Sequence, residues 1–286
     1  TTIYNSGVPN NLDDLTTPPT AWYRNGDNGS YKSPQWLIPN NSNVANSRIS
    51  NYSLQLDGVD DKVDVGNPAS LQITGDMTLS AWIKTSDTSA YEFIIGKDDV
   101  GSNRSYGLLR VGNNLRFFIA KSGVISNVTG TSTINDGAWH HVLGVNDGTD
   151  IKVYVDGSLE NTNSGGGGTI DNGASNFNIG ARAILAGYWT GSIDEVAVWN
   201  SDQSSNVASI YNSGTPTTIT GSVAHWKMGE EATFSTNWTV PDAVGSNDGT
   251  SANMTIEDRT GDAPNSTSNA VSFNMTESDR ETNVPS

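Results

Sequence analysis

Trp139-His-His-Val-Leu-Gly-Val145, Asp147-Gly148, Ile151-Lys-Val-Tyr-Val155 and Asp156-Gly157 read as strand, turn, strand, turn. Ile151, Val153 and Val155 alternate with polar or amphipathic neighbours, the period of a half-buried strand. Each Asp-Gly pair suits a tight hairpin turn, where positive φ is required. Upstream, Tyr106-Gly-Leu-Leu-Arg-Val111, Asn113-Asn114 and Leu115-Arg-Phe-Phe-Ile119 form a second hairpin. Tyr52–Leu56, Lys62–Val65, Met77–Lys84 and Glu92–Gly96 precede it; Phe177–Gly180 and Gly191–Trp199 close the series. Many short strands separated by Gly, Asp and Asn turns imply an all-β antiparallel sandwich or jelly roll. One short helix is expected at Ser204–Tyr211, with Ser204 or Ser205 as N-cap and Gly214 beyond its end.

Composition agrees with many strands and polar turns. Hydrophobic residues make up 34% of the 286, with 30 glycines. Fifteen basic residues against 31 acidic ones give a net charge of −16, a surface that repels nucleic-acid phosphates and anionic lipid. No nucleic-acid partner and no membrane insertion are expected. No apolar run approaches transmembrane length and no signal peptide is evident. With no cysteine, disulfides, thiolate zinc sites and a Cys nucleophile are excluded, which points towards a bacterial or phage source. Residue 1 is Thr rather than Met, so a processed or partial product is expected.

An internal repeat sets the expected organisation. Ile3-Tyr-Asn-Ser-Gly-Val-Pro9 recurs as Ile210-Tyr-Asn-Ser-Gly-Thr-Pro216, and Ala21-Trp-Tyr-Arg-Asn-Gly-Asp27 recurs as Ala224-His-Trp-Lys-Met-Gly-Glu230. The period of about 200 residues is that of one all-β domain. Residues 1–19 are read as the tail of a preceding unit with its linker. Residues 20–214 are read as the complete jelly roll, and 215–286 as a shortened C-terminal β-rich unit. Such a unit cannot bury its own sheet face, so it should complete a sheet on the main domain or on a neighbouring subunit. The neighbour is preferred, which implies a homo-oligomer.

Leu56-Asp-Gly-Val-Asp-Asp-Lys-Val63, Thr78-Leu-Ser-Ala-Trp-Ile83, Gly137-Ala-Trp-His-His-Val142, Ile151–Gly157, Phe177-Asn-Ile-Gly180 and Gly191-Ser-Ile-Asp-Glu-Val196 occur in that order. In this order they resemble the laminin-G-like, or concanavalin-A-like lectin/glucanase, jelly-roll family. The repeated strings, with Ser272–Arg280 and the Asn-Asp-Gly-Thr run at 247–250, also resemble structural proteins of marine phages. That resemblance implies virion decoration or a fibre role, other virion or surface proteins as partners, and a virion-surface or extracellular location. A bacterial extracellular carbohydrate-binding or adhesin module is the alternative; a glycan hydrolase or lyase is a third reading.

Catalysis lacks its usual groups. Glucanases of this fold carry Glu-x-Asp-x-x-Glu on one strand, and no such string occurs. Asp194-Glu195 and Glu230-Glu231 are adjacent pairs, whose side chains should point to opposite faces of a strand. Asp57, Asp60 and Asp61 surround a turn, where solvated carboxylates are ordinary. His140, His141 and His225 are the only histidines and no Gly-x-Ser-x-Gly elbow is present; a structural role is expected for His140 and His141, which share one strand. No catalytic residue and no enzyme activity are expected.

Two binding functions remain. By resemblance, Asp194 matches the Asp that holds a structural calcium in glucanases of this fold, with partners from around Asp27; capping a turn is the equal alternative. Sugar sites on sandwiches stack a ring on an exposed aromatic and bind hydroxyls with planar polar groups. Tyr91, Tyr106, Tyr188 and Trp189 lie in or beside Gly/Ser-rich loops, with Arg104 and Arg182 near them in sequence. These are the candidate polysaccharide-binding residues. Trp82, Trp139 and Trp199 are read as core, and the Asn-x-Ser/Thr triplets as products of composition.

Overall fold

A computed structural model describes residues 50–89, 91–99, 101–183 and 187–264, together with the backbone of two short strands nearer the N-terminus. Those two, β1 (Ser30–Lys32) and β2 (Gln35–Leu37), pair antiparallel in a unit of their own. The main unit begins with β3 (Ser53–Asp57), β4 (Lys62–Gly66), β5 (Met77–Lys84), β6 (Tyr91–Asp98), β7 (Arg104–Val111) and β8 (Asn114–Lys121). It continues with β9 (Val124–Thr129), β10 (Trp139–Asn146), β11 (Ile151–Val155), β12 (Ser158–Asn163), β13 (Phe177–Ile179) and β14 (Thr190–Trp199). After helix α1 (Val207–Tyr211) come β15 (Ala224–Trp226), β16 (Thr233–Phe234), β17 (Trp238–Val240), β18 (Gly249–Ala252) and β19 (Arg259–Thr260).

These strands form two antiparallel sheets. One runs β12-β11-β10-β5-β14-β3-β19 with β15 also on β14; the other runs β16-β17-β18-β4-β13-β6-β7-β8-β9. The jelly roll expected from the sequence is the fold observed. Leu54, Leu79, Ile95, Leu108, Phe117, Val142, Val153, Phe177 and Ile193 are all fully buried in one continuous core between the sheets. The quoted hairpin forms as read: Gly144 pairs with Val153 across β10 and β11, and Asp156 (φ 49) with Gly157 (φ 78) makes the turn into β12. Gly157 is needed twice, for its positive φ and because a Cβ there would lie 2.6 Å from the Tyr211 ring.

After residue 214 the described chain takes the first of the two expected courses, packing on the main domain and not on the preferred neighbour. β15, β18 and β19 pair with β14, β4 and β3 of the same chain and complete its sheets. Trp226 is fully buried and stacks on Phe177 with ring centroids 5.2 Å apart. Apolar residues at 226, 228, 238, 240 and 254 therefore find their core in cis, and no neighbouring copy is needed to cover them. The expected boundaries at 19 and 20 lie outside the described residues.

Helix α1 is shorter than read and starts after Asn206, not Ser204 or Ser205. It lays Val207 and Ile210 over Leu143, Tyr154 and Trp199 on the outer face of the β14 sheet. Trp199 and Trp82 are buried as expected; Trp139 is only half-buried, because its indole Nε1 donates to Asp262 at 3.0 Å.

Candidate functional site

Alternation along β6, β7 and β8 sends one set of side chains into the core and the other to the outer face of their sheet. Phe93, Leu109 and Phe118 form a separate apolar cluster on that outer face. Register places Phe93, Leu109, Arg116 and Thr129 in one row across β6 to β9. Gly96 and Gly107 lie beside the rings; a Cβ at Gly107 would come within 2.6 Å of Phe118. Tyr91, 39% exposed, packs edge-on against Phe93.

Two guanidiniums frame this floor. Arg104 Nε donates to Asp98 Oδ1 at 2.7 Å, and its guanidinium stands 5.7 Å from the Phe118 ring centre. Arg182 Nε lies 2.7 Å from Asp98 Oδ2, and its Nη2 donates to the Asp99 carbonyl at 2.8 Å. Asp98 is fully buried, so its carboxylate fixes both arginines from beneath. Burial raises the Tyr91 hydroxyl pKa; Arg182 opposes this, Asp98 adds to it, and Arg104 and Arg116 oppose it. The structure thus gathers Tyr91, Arg104 and Arg182 and adds Arg116, which the sequence reading omitted.

Two other candidates, Tyr106 and Trp189, are not brought onto this surface. Tyr106 is fully buried, its hydroxyl donating to the Leu71 carbonyl at 2.7 Å, and burial raises its pKa far above the usual phenol range. It points inward with Leu108, its neighbour two residues on in β7 and a member of the same core. Trp189 is fully buried in the same core, where its bulk fills the space beneath the loop. Neither can touch a ligand without unfolding. Tyr188 is half-buried and follows Gly187, whose carbonyl accepts from the Phe93 amide at 2.8 Å.

A second constellation lies on β14. Opposite β5 the register slips between Asp194 and Ala197, and Glu195 adopts φ +48. This bulge breaks the alternation that would separate neighbouring side chains. Asp194 and Glu195 consequently share a cluster with Glu230, one carboxylate oxygen from each lying within 4.8 Å of the others. The expectation that Asp194 and Glu195 face opposite ways is overturned by that one extra residue. Asp194 Oδ2 accepts from Ser50 Oγ at 2.5 Å, and Glu195 Oε2 lies 2.6 Å from His225 Nε2. Glu230 Oε1 accepts from the amides of Asn51 and, at 2.7 Å, Tyr52. Burial, then the charges of Glu195 and Glu230, push the Asp194 carboxyl well above its ordinary value. Burial also raises Glu230 to about 7.

Glu195 Oε1 and Glu230 Oε2 are buried with no hydrogen-bond partner among the described residues. Two orphaned oxygens among three crowded carboxylates suit a hard divalent cation bound through oxygen. Asp194, Glu195 and Glu230 are the residues that would hold it. Asp27 lies outside the described residues.

The remaining candidates are structural. His141 Nε2 lies 2.8 Å from Ser80 Oγ, but both residues are sealed, and burial depresses the imidazole to about 4, keeping it neutral. His140 lies between Asp156 and Asp136, and the Asp156 bond, the largest influence, raises its pKa. Asp57, Asp60 and Asp61 do cluster; Asp61 is raised to about 6 by burial and then by Asp57. Its folded pKa exceeds the ordinary 3.8, so the folded state holds that proton more tightly and stability declines as pH rises from about 4 to about 6. Asp61→Asn should therefore stabilise the protein by about 1 kcal/mol at pH 7, after allowing for screening by water, and by nothing below about pH 4. Urea midpoints at the two pH values measure this.

No curated protein matches the sequence. Among solved structures, a Bacteroides ovatus protein described as a candidate carbohydrate-binding protein aligns with a TM-score of 0.59 at 19% identity. The alignment covers 75% of this chain and 61% of that one, so the chain spans about three fifths of that protein's length. A heptameric pentraxin from Limulus polyphemus aligns at TM-score 0.45 and 16% identity, covering 57% and 82% of the two chains. Domains LG4-5 of the mouse laminin α1 chain align at 0.43 and 16%, covering 54% and 43%. No helix among the described residues is long and apolar enough to cross a membrane. Residues 57–207, more than half the chain, match the Laminin_G_3 profile, and the chain belongs to this family of the concanavalin A-like lectin/glucanase superfamily.

Proposed function

We propose that this sandwich is a non-catalytic carbohydrate-binding module of an extracellular or virion surface, with the Tyr91 face as its contact surface. One observation carries the reading: an exposed tyrosine beside an aromatic floor, flanked by guanidiniums that a buried carboxylate holds in place. That combination offers a ring face for C–H stacking and fixed donors for hydroxyls. The fold shared with the Bacteroides protein supports the same reading. Calcium bound by Asp194, Glu195 and Glu230 would hold β14 to the segment that closes the sandwich. Asp194 and Glu195 are buried, with Glu230 half-buried beside them, a setting that favours a structural role over hydrolysis.

Affinity electrophoresis of the full chain against a panel of soluble polysaccharides tests the reading. At least one polymer should retard the protein, and Tyr91→Ala should weaken that retardation about tenfold through loss of the stacking ring. Retardation by none, or retardation that Tyr91→Ala leaves untouched, would remove this face from consideration. The repeated strings and acidic surface favour display on a phage particle, with other virion proteins as partners. Copies of the chain on purified particles are the expected observation; a protein found only free in lysate contradicts it.

A further inference from the structure

The Tyr91 face concentrates positive charge on an acidic chain. The chain as a whole has a net charge of −16, yet three arginines converge here. Asp98 neutralises one guanidinium's worth of charge while touching two, Arg104 and Arg182. Arg116, in the next strand, donates Nε to Thr129 Oγ1 at 2.9 Å and has no acidic partner within ion-pair distance among the described residues. It is half-buried, as are Arg104 and Arg182, so their charges sit beside apolar surface where water screens them less. A local excess of fixed guanidiniums beside apolar surface is a seat that favours an anionic group.

The rows of the sheet set the dimensions. From Tyr91 on the Val111 row, through the Phe93–Leu109–Arg116 and Gly96–Gly107–Phe118 rows, to Arg104 opposite Asp98 is three row steps. At about 6.6 Å per two-residue step the strip is about 20 Å long, enough for a short stretch of sugar chain. Arg116 stands beside the middle of the strip and Arg104 at its far end, so anionic groups spaced along one chain could meet both.

We infer that the ligand of this face is an acidic polysaccharide, one bearing carboxylate or sulfate groups, with Arg104, Arg116 and Arg182 reading the anions while Tyr91 stacks on a ring. This inference rests on the carbohydrate reading above and specifies its ligand class. Arginine's planar fork matches either anion with paired hydrogen bonds. Long-range repulsion from the acidic surface selects against polyanions that cannot also stack, so the aromatic and the arginines act together.

The test uses the full chain in native gels containing polygalacturonate, chondroitin sulfate or neutral laminarin, with single-stranded DNA as a polyanion that is not a glycan. Polygalacturonate or chondroitin sulfate should retard the protein at least about tenfold more strongly than laminarin. That retardation should fall by about tenfold as salt rises from about 50 to about 500 mM. Arg116→Gln should weaken anionic binding about fivefold without altering the melting temperature, since Arg116 supports the fold through one bond. Laminarin bound as tightly as the acidic polymers, with Arg116→Gln inert and Tyr91→Ala damaging, would overturn the acidic ligand while leaving the carbohydrate reading intact. Equal retardation by DNA would reduce the site to charge alone and overturn the inference. Retardation by no polymer would overturn both.

Discussion

A chain ended after Gly214 should have no cooperative unfolding transition. The missing segment supplies β15, β18 and β19, which cover edges of β14, β4 and β3. It also supplies Trp226, Met228, Trp238, Val240 and Met254, all buried in the main core. Removing Trp226 alone, as Trp226→Ala, should cost about 3–5 kcal/mol, because its ring stacks on Phe177 and its Nε1 donates to the Asn247 carbonyl at 2.8 Å. A typical domain has only about 5–15 kcal/mol in total, so losing five such core residues and three strand partners exceeds what the fold can lose. Urea titration followed by tryptophan fluorescence measures both variants. A truncated chain that melts sharply at the full-length temperature would mean that residues 215–286 are an appendage after all.

Calcium should raise the melting temperature by about 5–10 °C when present at about a hundred times its dissociation constant. The linkage relation gives about 2.7 kcal/mol at that ratio, and a domain of this size gains about 2–4 °C per kcal/mol. Two orphaned oxygens and three crowded carboxylates are the physical basis. Glu230→Gln should abolish the response, while in chelator the same change should stabilise the protein by relieving repulsion with Glu195 and Asp194. The pH dependence has a definite sign. With its folded pKa near 7 against an ordinary 4.5, Glu230 favours the folded state only while protonated. In chelator, stability should therefore decline between about pH 4.5 and 7. Saturating calcium should remove that decline by occupying the ionised site. Identical melting curves with calcium and with chelator would leave the carboxylates as a proton-sharing cluster.

The strand pattern was legible because its cues are local. Ile151, Val153 and Val155 alternate, Asp156-Gly157 turns the chain, and both appear where the sequence places them. What escaped local reading depends on departures from the strand period. Tyr106 opens a string read as a hairpin strand beside a Gly/Ser-rich loop, and in β7 it faces inward with Leu108. Asp194 and Glu195 were separated by alternation, which a single bulge residue at φ +48 cancels. Arg116 was hidden because it approaches Tyr91 only through strand register, which depends on residues far apart in sequence.

One signal for Glu230 was present in the sequence. Glu230 ends the second copy of the repeat at the place where Asp27 ends the first. Asp27 is read as the neighbour of Asp194, and the structure seats its repeat counterpart, Glu230, beside Asp194. The chemistry was transferable between copies. That the second copy joins this sandwich is a matter of tertiary pairing, set by β15 on β14, and no local pattern reveals it.

Hydrogen–deuterium exchange on the full chain, with and without a saturating polysaccharide, addresses the contact surface most directly. The account predicts slowed exchange confined to β6, β7 and β8, together with the loop around Arg182. Slowed exchange instead at the hollow lined by Ser70, Thr74 and Asn200, or at the one beside Trp199 and Ile219, would place the ligand elsewhere and contradict it.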